Sequence, residues 1–153
     1  MRKNIFIGAD SAGFALKEEF KLHLTELGYN VTDCGAYSSE SSHYPQFAAA
    51  VCENVLKNSK DSYGILICGT GIGMSMCANK FNGIRAALCS DTFSARMTRI
   101  HNDANVMCLG ARVIGPSLAI DILDAFLSAE FEDGGRHRIR VDMIADIEKS
   151  QHK

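Results

Sequence analysis

Short apolar segments alternate along the chain with longer segments in which apolar residues recur every three or four positions. The short segments predict buried strands at residues 4–10, 29–35, 63–68, 84–90 and 104–110. The longer segments predict helices at 13–27, 44–56, about 74–80, 91–100, 116–128 and 136–148. Pro45 and Pro116 fall in the first turns of two of these helices, where proline is tolerated.

Alternation of strands and helices is typical of a parallel sheet covered by helices on both faces. We therefore expect an α/β, three-layer αβα, Rossmann-like fold with a five-stranded parallel sheet and a C-terminal helix. No repeat, low-complexity segment or flexible linker divides the 153 residues, which predicts one domain over residues 1–153. Ligands of such folds bind at the carboxyl ends of the strands.

Composition and charge exclude several other classes of protein. The chain is 46% hydrophobic and 22% charged, with a net charge of -2, so nothing favours nucleic-acid binding. The apolar runs are too short to span a membrane, and MRKNIFIGAD at the start has neither the apolar core nor the cleavage site of a signal peptide. Most of the six cysteines lie in or beside apolar runs without a CxxC pair, which predicts reduced thiols in a cytoplasmic protein.

A glycine-rich loop follows the third predicted strand, in ILICGTGIGMS at residues 65–75. The glycine spacing does not match a dinucleotide-binding fingerprint, and the lysine of a P-loop is missing before Ser75. The loop is either a tight turn beside a small core residue, Cys68, or a row of exposed amides that binds negative charge. In the second case the amides favour the thiolate form of Cys68, which then serves as a base or nucleophile.

Two further residues lie where a strand or a helix ends. Asp10 follows the first strand and is suited either to bind a sugar hydroxyl or to cap the helix that begins near Gly13. His101 ends the fourth helix, where it is either a general acid or base or a surface cap that benefits from the helix dipole.

Positive charge collects in GGRHRIR, residues 134–140, at the start of the last helix. The helix dipole disfavours Arg136, His137 and Arg140 there, and the two arginines share a helix face and repel each other. A bound phosphate would offset this repulsion, and Arg112 could contact the same anion. The alternatives are a solvated basic patch or ion pairs with nearby acidic residues, Glu132 and Asp133.

Other catalytic motifs are not seen. There is no HxxxH or HExxH pattern and no carboxylate cluster, so we expect no metal. There is also no GxSxG elbow of a serine hydrolase.

Several segments resemble the ribose-5-phosphate isomerase B and galactose-6-phosphate isomerase family, and the resemblance covers nearly the whole chain. They are GADSAG at 8–13, HYP at 43–45, ILICGTGIG at 65–73, NKFNGIRAALC at 79–89, HNDANVMCLGARVIG at 101–115 and GGRHRIRVDMI at 134–144. The resemblance implies a metal-free and cofactor-free aldose–ketose isomerase, with ribose 5-phosphate and ribulose 5-phosphate as the favoured pair.

The resemblance also implies a role for each candidate residue. The thiolate of Cys68 moves a proton between carbons 1 and 2 of the sugar, Thr70 helps to stabilise the enediolate, and His101 opens the sugar ring. The implied substrate contacts are Asp10, Ser11, Tyr44, Gly69, Gly71, Ile72, Gly73 and Asn102, with Arg112, Arg136, His137 and Arg140 as the phosphate clamp. Sites of this family lie at subunit interfaces, which implies a homodimer or homotetramer.

Ser11 departs from the pattern, because many ribose-5-phosphate isomerases of the family have histidine after the aspartate. A similar pair occurs in one subunit type of galactose-6-phosphate isomerase, but that subunit lacks the cysteine that Cys68 provides here. Galactose 6-phosphate, allose 6-phosphate and tetrose phosphates therefore remain alternative substrates. A catalytically silent sugar-phosphate binder is a further alternative, which the joint presence of Cys68, Thr70 and His101 disfavours.

Overall fold

The computed structural model, which describes residues 3–58 and 62–151, contains one five-stranded sheet and six helices in that part of the chain. The strands are β1 Asn4–Ala9, β2 Asn30–Asp33, β3 Ser62–Cys68, β4 Ala86–Leu88 and β5 Val106–Gly110. The helices are α1 Phe14–Glu26, α2 Tyr44–Lys57, α3 Ile72–Ala78, α4 Thr92–Asn102, α5 Pro116–Ser128 and α6 Gly135–Gln151. The strands pair in the order β2-β1-β3-β5-β4, and every pair is parallel.

The predicted fold class is confirmed, and the differences lie at the ends of elements. Helix α3 begins at Ile72, earlier than expected, because Gly71 adopts a left-handed φ of 78° and turns the chain directly into the helix. The edge strand β4 pairs over three residues only. Helix α4 continues through Asn102, until Asp103 takes a left-handed conformation.

Two apolar clusters cover the two faces of the sheet. In β3, Ile65 and Ile67 join the cluster with α1, α4 and α5, whereas Leu66 and Cys68 join the cluster with α2 and α3. Every residue of β3 is buried, since this central strand is covered on both faces. Cys68 therefore ends a rigid strand and points to the side of α2 and α3.

The loops at the carboxyl ends of the strands are packed backbone to backbone. A Cβ built on Gly13 would lie 2.6 Å from the carbonyl oxygen of Ile67, and one on Gly110 would lie 2.6 Å from backbone atoms of Thr70. Only glycine allows approaches this close.

No helix in the described part of the chain has both the length and the apolar character needed to cross a bilayer.

Gly13→Ala should destabilise the protein, because the added methyl must push the start of α1 away from β3. We expect the free energy of unfolding to fall by about 1–3 kcal/mol, the usual cost of overpacking. The measurement is chemical denaturation at a fixed protein concentration. Gly115→Ala is the matched control, since a Cβ there meets nothing within 4 Å and should change stability by less than about 0.5 kcal/mol. Equal effects of the two variants would contradict the packing explanation.

Candidate active site

The glycine loop after β3 turns back over the thiol of Cys68. The Cys68 Sγ accepts a hydrogen bond from the backbone N–H of Gly71 at 3.1 Å. The left-handed conformation of Gly71 aims this N–H at the sulfur, and a Cβ at Gly71 would lie 2.8 Å from the backbone of Leu109. The Cys68 residue is only 5% exposed. The loop thus holds one backbone N–H against the sulfur, which is the geometry that the second interpretation of the loop requires.

Two side chains border the loop. The ring of Tyr44, the first residue of α2, lies over Gly73, where an added Cβ would be 2.7 Å from the Tyr44 Cζ. The side chain of Arg112 lies beside Gly69, where an added Cβ would be 3.6 Å from the Arg112 Cδ. Thr70 is exposed on the loop, and its hydroxyl oxygen accepts the N–H of Ile72 at 3.3 Å. The loop therefore presents its amides between an aromatic ring and a guanidinium.

Asp10 closes the turn that precedes α1. Its Oδ1 accepts the backbone N–H groups of Ala12 at 3.0 Å and Gly13 at 3.1 Å. It does not cap the helix itself, because the N-cap residue of α1 is Gly13, which has no side-chain cap. Within residues 3–58 and 62–151 the Oδ2 atom makes no hydrogen bond, which leaves it able to accept a sugar hydroxyl. Ser11 lies in the same turn and is half-buried.

A second group of candidate residues meets where α4 ends and α6 begins. The rings of His101 and His137 stack with centroids 4.3 Å apart and planes 6° apart. The His137 Nε2 lies 3.5 Å from Glu132 Oε2. Burial lowers the pKa of His137, and the nearby positive groups at His101, Arg136 and Arg140 lower it further against the opposing effect of Glu132. His137 is therefore neutral at neutral pH in the free protein.

Arg136 and Arg140 are exposed and make no ion pair with any residue in the described part of the chain. Glu132 faces His137 instead, and Asp133 pairs with Arg138 at 2.8 Å. Of the two acidic residues, Asp133 therefore forms an ion pair with Arg138, and neither Glu132 nor Asp133 pairs with Arg136 or Arg140. Two unneutralised guanidiniums one helical turn apart provide a site for an anion.

Within one chain these two groups lie at opposite ends of the strands. The Cys68 loop lies where the strands end, and the His101 group lies where they begin. The helix that follows a parallel strand returns to the edge where strands begin, and Arg99 of α4 donates to the hydroxyl of Tyr63 at the start of β3, at 2.6 Å. From Tyr63 to Cys68 the strand rises by roughly 16 Å, at about 3.3 Å per residue. His101 and Asn102 are therefore far from Cys68 in the same chain.

The sequence predicts that the candidate residues lie at the carboxyl ends of the strands. In the structure only one of the two groups lies there. That group comprises Asp10, Ser11, Tyr44, Cys68, Gly69, Thr70, Gly71, Ile72, Gly73 and Arg112. The group at the opposite end, where the strands begin, comprises His101, Asn102, Arg136, His137 and Arg140. Arg112 and the α6 arginines cannot contact one anion within a single chain, because the sheet separates them.

One set of side chains could hold a metal ion. Among residues 3–58 and 62–151, His101, Glu132 and His137 offer ligand atoms that all lie within 4.8 Å of one another. Spacing in the sequence does not reveal this set, because the three residues come from α4, α6 and the loop between α5 and α6.

Charged residues around His101 are a further feature that the sequence motifs did not indicate. Arg85, Arg99 and Asp103 form ion pairs at the end of α4. A signal for part of this group is present in the sequence, since Arg99 and Asp103 are four residues apart, the spacing at which helical side chains meet.

A parallel α/β domain in which a loop N–H contacts a buried thiol, with a separate group of imidazoles and exposed guanidiniums, is suited to an enzyme that binds a small anionic substrate. The family model described as Ribose/Galactose Isomerase matches residues 5–144. The chain is 49% identical over 150 residues to ribose-5-phosphate isomerase B of Escherichia coli (strain K12), covering 98% of this chain and 99% of that protein.

Two further relatives extend the comparison. The chain is 51% identical over 136 residues to D-erythrulose-4-phosphate isomerase of Pectobacterium atrosepticum, covering 86% of this chain and 87% of that protein. The crystal structure of ribose-5-phosphate isomerase B from Mycoplasma genitalium with bound ribulose-5-phosphate superposes with a TM-score of 0.91 at 46% identity, covering 95% of this chain and 96% of that one. The chain belongs to the ribose/galactose isomerase family, which confirms the resemblance found in its motifs.

Arg136→Gln should raise the pKa of His137, because it removes a positive charge that disfavours the protonated imidazole. The measurement is a pH titration of the histidine ring signals by NMR. Arg138→Gln is the matched control, since Arg138 is paired with Asp133 and is not among the charges that act on His137. A His137 pKa that does not change in Arg136→Gln would show that the two groups are not electrostatically coupled.

Proposed function

We propose that the protein interconverts ribose 5-phosphate and ribulose 5-phosphate by moving a proton between carbons 1 and 2 of the sugar. The observation that carries this proposal is the hydrogen bond from the Gly71 N–H to the Cys68 Sγ at the end of β3. Such a proton transfer needs a base at the substrate, and the sulfur of Cys68 is the atom that the loop holds in place for it. The motifs around it belong to a family whose relatives include named ribose-5-phosphate isomerases.

In the proposed reaction the Cys68 thiolate removes the proton from carbon 2 of the open-chain aldose and returns it to carbon 1, while the hydroxyl proton on carbon 2 passes to the oxygen on carbon 1. Negative charge develops on the carbonyl oxygen in the enediolate between these steps. The backbone N–H groups of residues 69–73 and the hydroxyl of Thr70 stabilise this charge, because the packed loop holds them in place before the substrate arrives. No cofactor or metal takes part in these steps.

The remaining candidate residues bind and open the sugar. His101, with Asn102 beside it, transfers the proton that opens the furanose ring. Arg136, Arg140 and Arg112 surround the phosphate, with His137 as a further donor. Asp10, Ser11 and Tyr44 contact the sugar hydroxyls at the edge of the loop.

We further propose that each site is shared by two subunits of a homodimer or homotetramer. A twofold axis would bring the Cys68 loop of one subunit against the His101 group of its partner, which one chain cannot do alone. Exposed apolar side chains on α3, α4 and α6 are available for such an interface. They are Ile72, Met76, Phe93, Ile139, Met143, Ile144 and Ile147, which are between 46% and 65% exposed.

The same chemistry on another sugar phosphate is the second candidate function. The Pectobacterium relative named as an isomerase of D-erythrulose 4-phosphate favours a tetrose phosphate as the alternative. Ser11 is the residue at which we expect the difference in specificity to arise, because it lies beside Asp10 at the position where the family resemblance implies histidine. A cytoplasmic location is also proposed, supported by six free cysteines.

Cys68→Ser should abolish isomerisation, because a serine hydroxyl is far too weakly acidic to provide the anionic base. We expect kcat to fall by at least about 100-fold. The measurement is ketose formation from ribose 5-phosphate, allose 6-phosphate, galactose 6-phosphate and erythrose 4-phosphate. Cys77→Ser is the control, since Cys77 is another free thiol on the α2–α3 side of the sheet. Full activity of Cys68→Ser would refute the thiolate mechanism. A preference of the unmodified protein for another sugar would refute the assignment of ribose 5-phosphate as the substrate.

Mixing Cys68→Ser and His101→Asn subunits, each with strongly reduced turnover of ribose 5-phosphate, should restore activity on that sugar if each site is shared. Random exchange then yields mixed dimers with one intact site, or about a quarter of the wild-type activity. The measurement is turnover after the two variants are partly unfolded and refolded together. As controls, each variant is refolded alone and should keep its own low turnover of ribose 5-phosphate. No recovery in mixtures shown to contain both subunits would mean that Cys68 and His101 act within one chain.

A further inference from the structure

Three charged side chains that the proposed mechanism does not use hold the end of α4. We call Arg85, Arg99 and Asp103 the helix-end clamp. The Asp103 carboxylate accepts hydrogen bonds from Arg85 Nη2 and from Arg99 Nη1, each at 2.9 Å. Asp103 itself has φ 48° and, within residues 3–58 and 62–151, is the only residue other than glycine with a positive φ. The backbone thus adopts an unfavourable conformation at Asp103, the residue at which the clamp forms.

The same two arginines also satisfy the backbone carbonyls that the helix end leaves unpaired. Arg85 Nε donates to the carbonyl oxygens of Asn102 at 3.1 Å and Asp103 at 3.0 Å. Arg99 Nη1 donates to the carbonyl oxygen of Ala104 at 2.6 Å. These carbonyls belong to the residues that directly follow His101, so the clamp fixes the last turn on which His101 and Asn102 lie.

Arg99 connects the clamp to the centre of the fold. It is only 4% exposed, and its Nη2 donates to the hydroxyl of Tyr63 in β3 at 2.6 Å. Its guanidinium also lies 4.5 Å from the centroid of the Tyr63 ring. In the described part of the chain, Asp103 is the ion-pair partner of Arg99. A buried guanidinium requires such a counter-charge. The pairing with Asp103 therefore makes the position of Arg99 resistant to change.

We propose that Asp103 is a positioning residue that acts through His101, by holding it and Asn102 in the orientation needed to open the sugar ring. This inference rests on the proposed function, which assigns ring opening to His101. Loss of the Asp103 charge would leave both arginines without their counter-charge and loosen the last turn of α4. A displacement of about 1 Å in a catalytic group can lower a rate about 100-fold.

Asp103→Asn is the variant that tests this role, because asparagine has a similar size and tolerates the left-handed conformation. We expect kcat for ribose 5-phosphate to fall by about 10- to 100-fold while KM stays nearly unchanged. Asp124→Asn is the control, since it removes another helical ion pair, with His23 at 2.8 Å, and should leave both constants unchanged. Circular dichroism and the thermal midpoint show whether Asp103→Asn is folded at the assay temperature.

A double-mutant cycle with His101→Asn separates positioning from a purely structural role. If Asp103 acts through His101, adding Asp103→Asn to His101→Asn causes little further loss of kcat. Losses that multiply would overturn the positioning role and leave the proposed function standing. An unchanged kcat in His101→Asn alone would instead refute the assignment of ring opening to His101, and the inference with it.

Erythrose 4-phosphate gives a second readout. Its fourth hydroxyl carries the phosphate, so the sugar cannot close a furanose ring and its isomerisation needs no ring opening. Asp103→Asn and His101→Asn should therefore slow its turnover much less than that of ribose 5-phosphate. Equal losses on the two sugars for Asp103→Asn, with unequal losses for His101→Asn, would overturn the positioning role.

Discussion

Parallel pairing of β3 with strands on both of its sides is the constraint on which the rest of the structure depends. Because β3 is buried along its whole length, the loop after it leaves from the centre of the sheet and is held by both neighbours. The Asp10 N–H donates to the carbonyl of Ile67 at 3.2 Å, and the Ala111 N–H donates to that of Cys68 at 2.9 Å. The thiol proposed as the base thus lies where the backbone is held by hydrogen bonds to segments on both sides.

The same constraint separates the candidate site into two parts. Each parallel strand must be followed by a connection, here a helix, that runs back to the start of the next strand. Residues that directly follow a strand therefore lie at one end of the sheet, and residues at the ends of those helices lie at the opposite end. Proton transfer from carbon needs a rigid base and rigid amides, which the centre of the sheet provides. Capture of a phosphate needs solvent-accessible cations, which the start of α6 provides. The proposed association of two subunits would combine these requirements.

The sequence predicts the layers of this fold well because buried strands and amphipathic helices leave regular patterns. Helix 116–128 is predicted with its observed ends, since Gly115 and Pro116 mark the start. The start of α3 is missed, because the positive φ of Gly71 depends on its contact with the backbone of Leu109. Cys68 and its amides are found since they are adjacent in sequence. The distance from Cys68 to His101, and the neighbours chosen by Glu132 and Asp133, depend on tertiary packing and are not visible in the sequence.

The close contact between Gly110 and Thr70 bears on how enzymes of this family diverge. A turn packed so tightly against β5 cannot change its shape without loss of the fold, so the chemistry it supports is inherited nearly intact. Variation in substrate must then arise from residues around the turn, such as Ser11 and Tyr44, whose side chains can change size without moving the backbone. A relative named for a pentose phosphate and one named for a tetrose phosphate are both about half identical to this chain, so overall similarity does not decide which sugar is chosen.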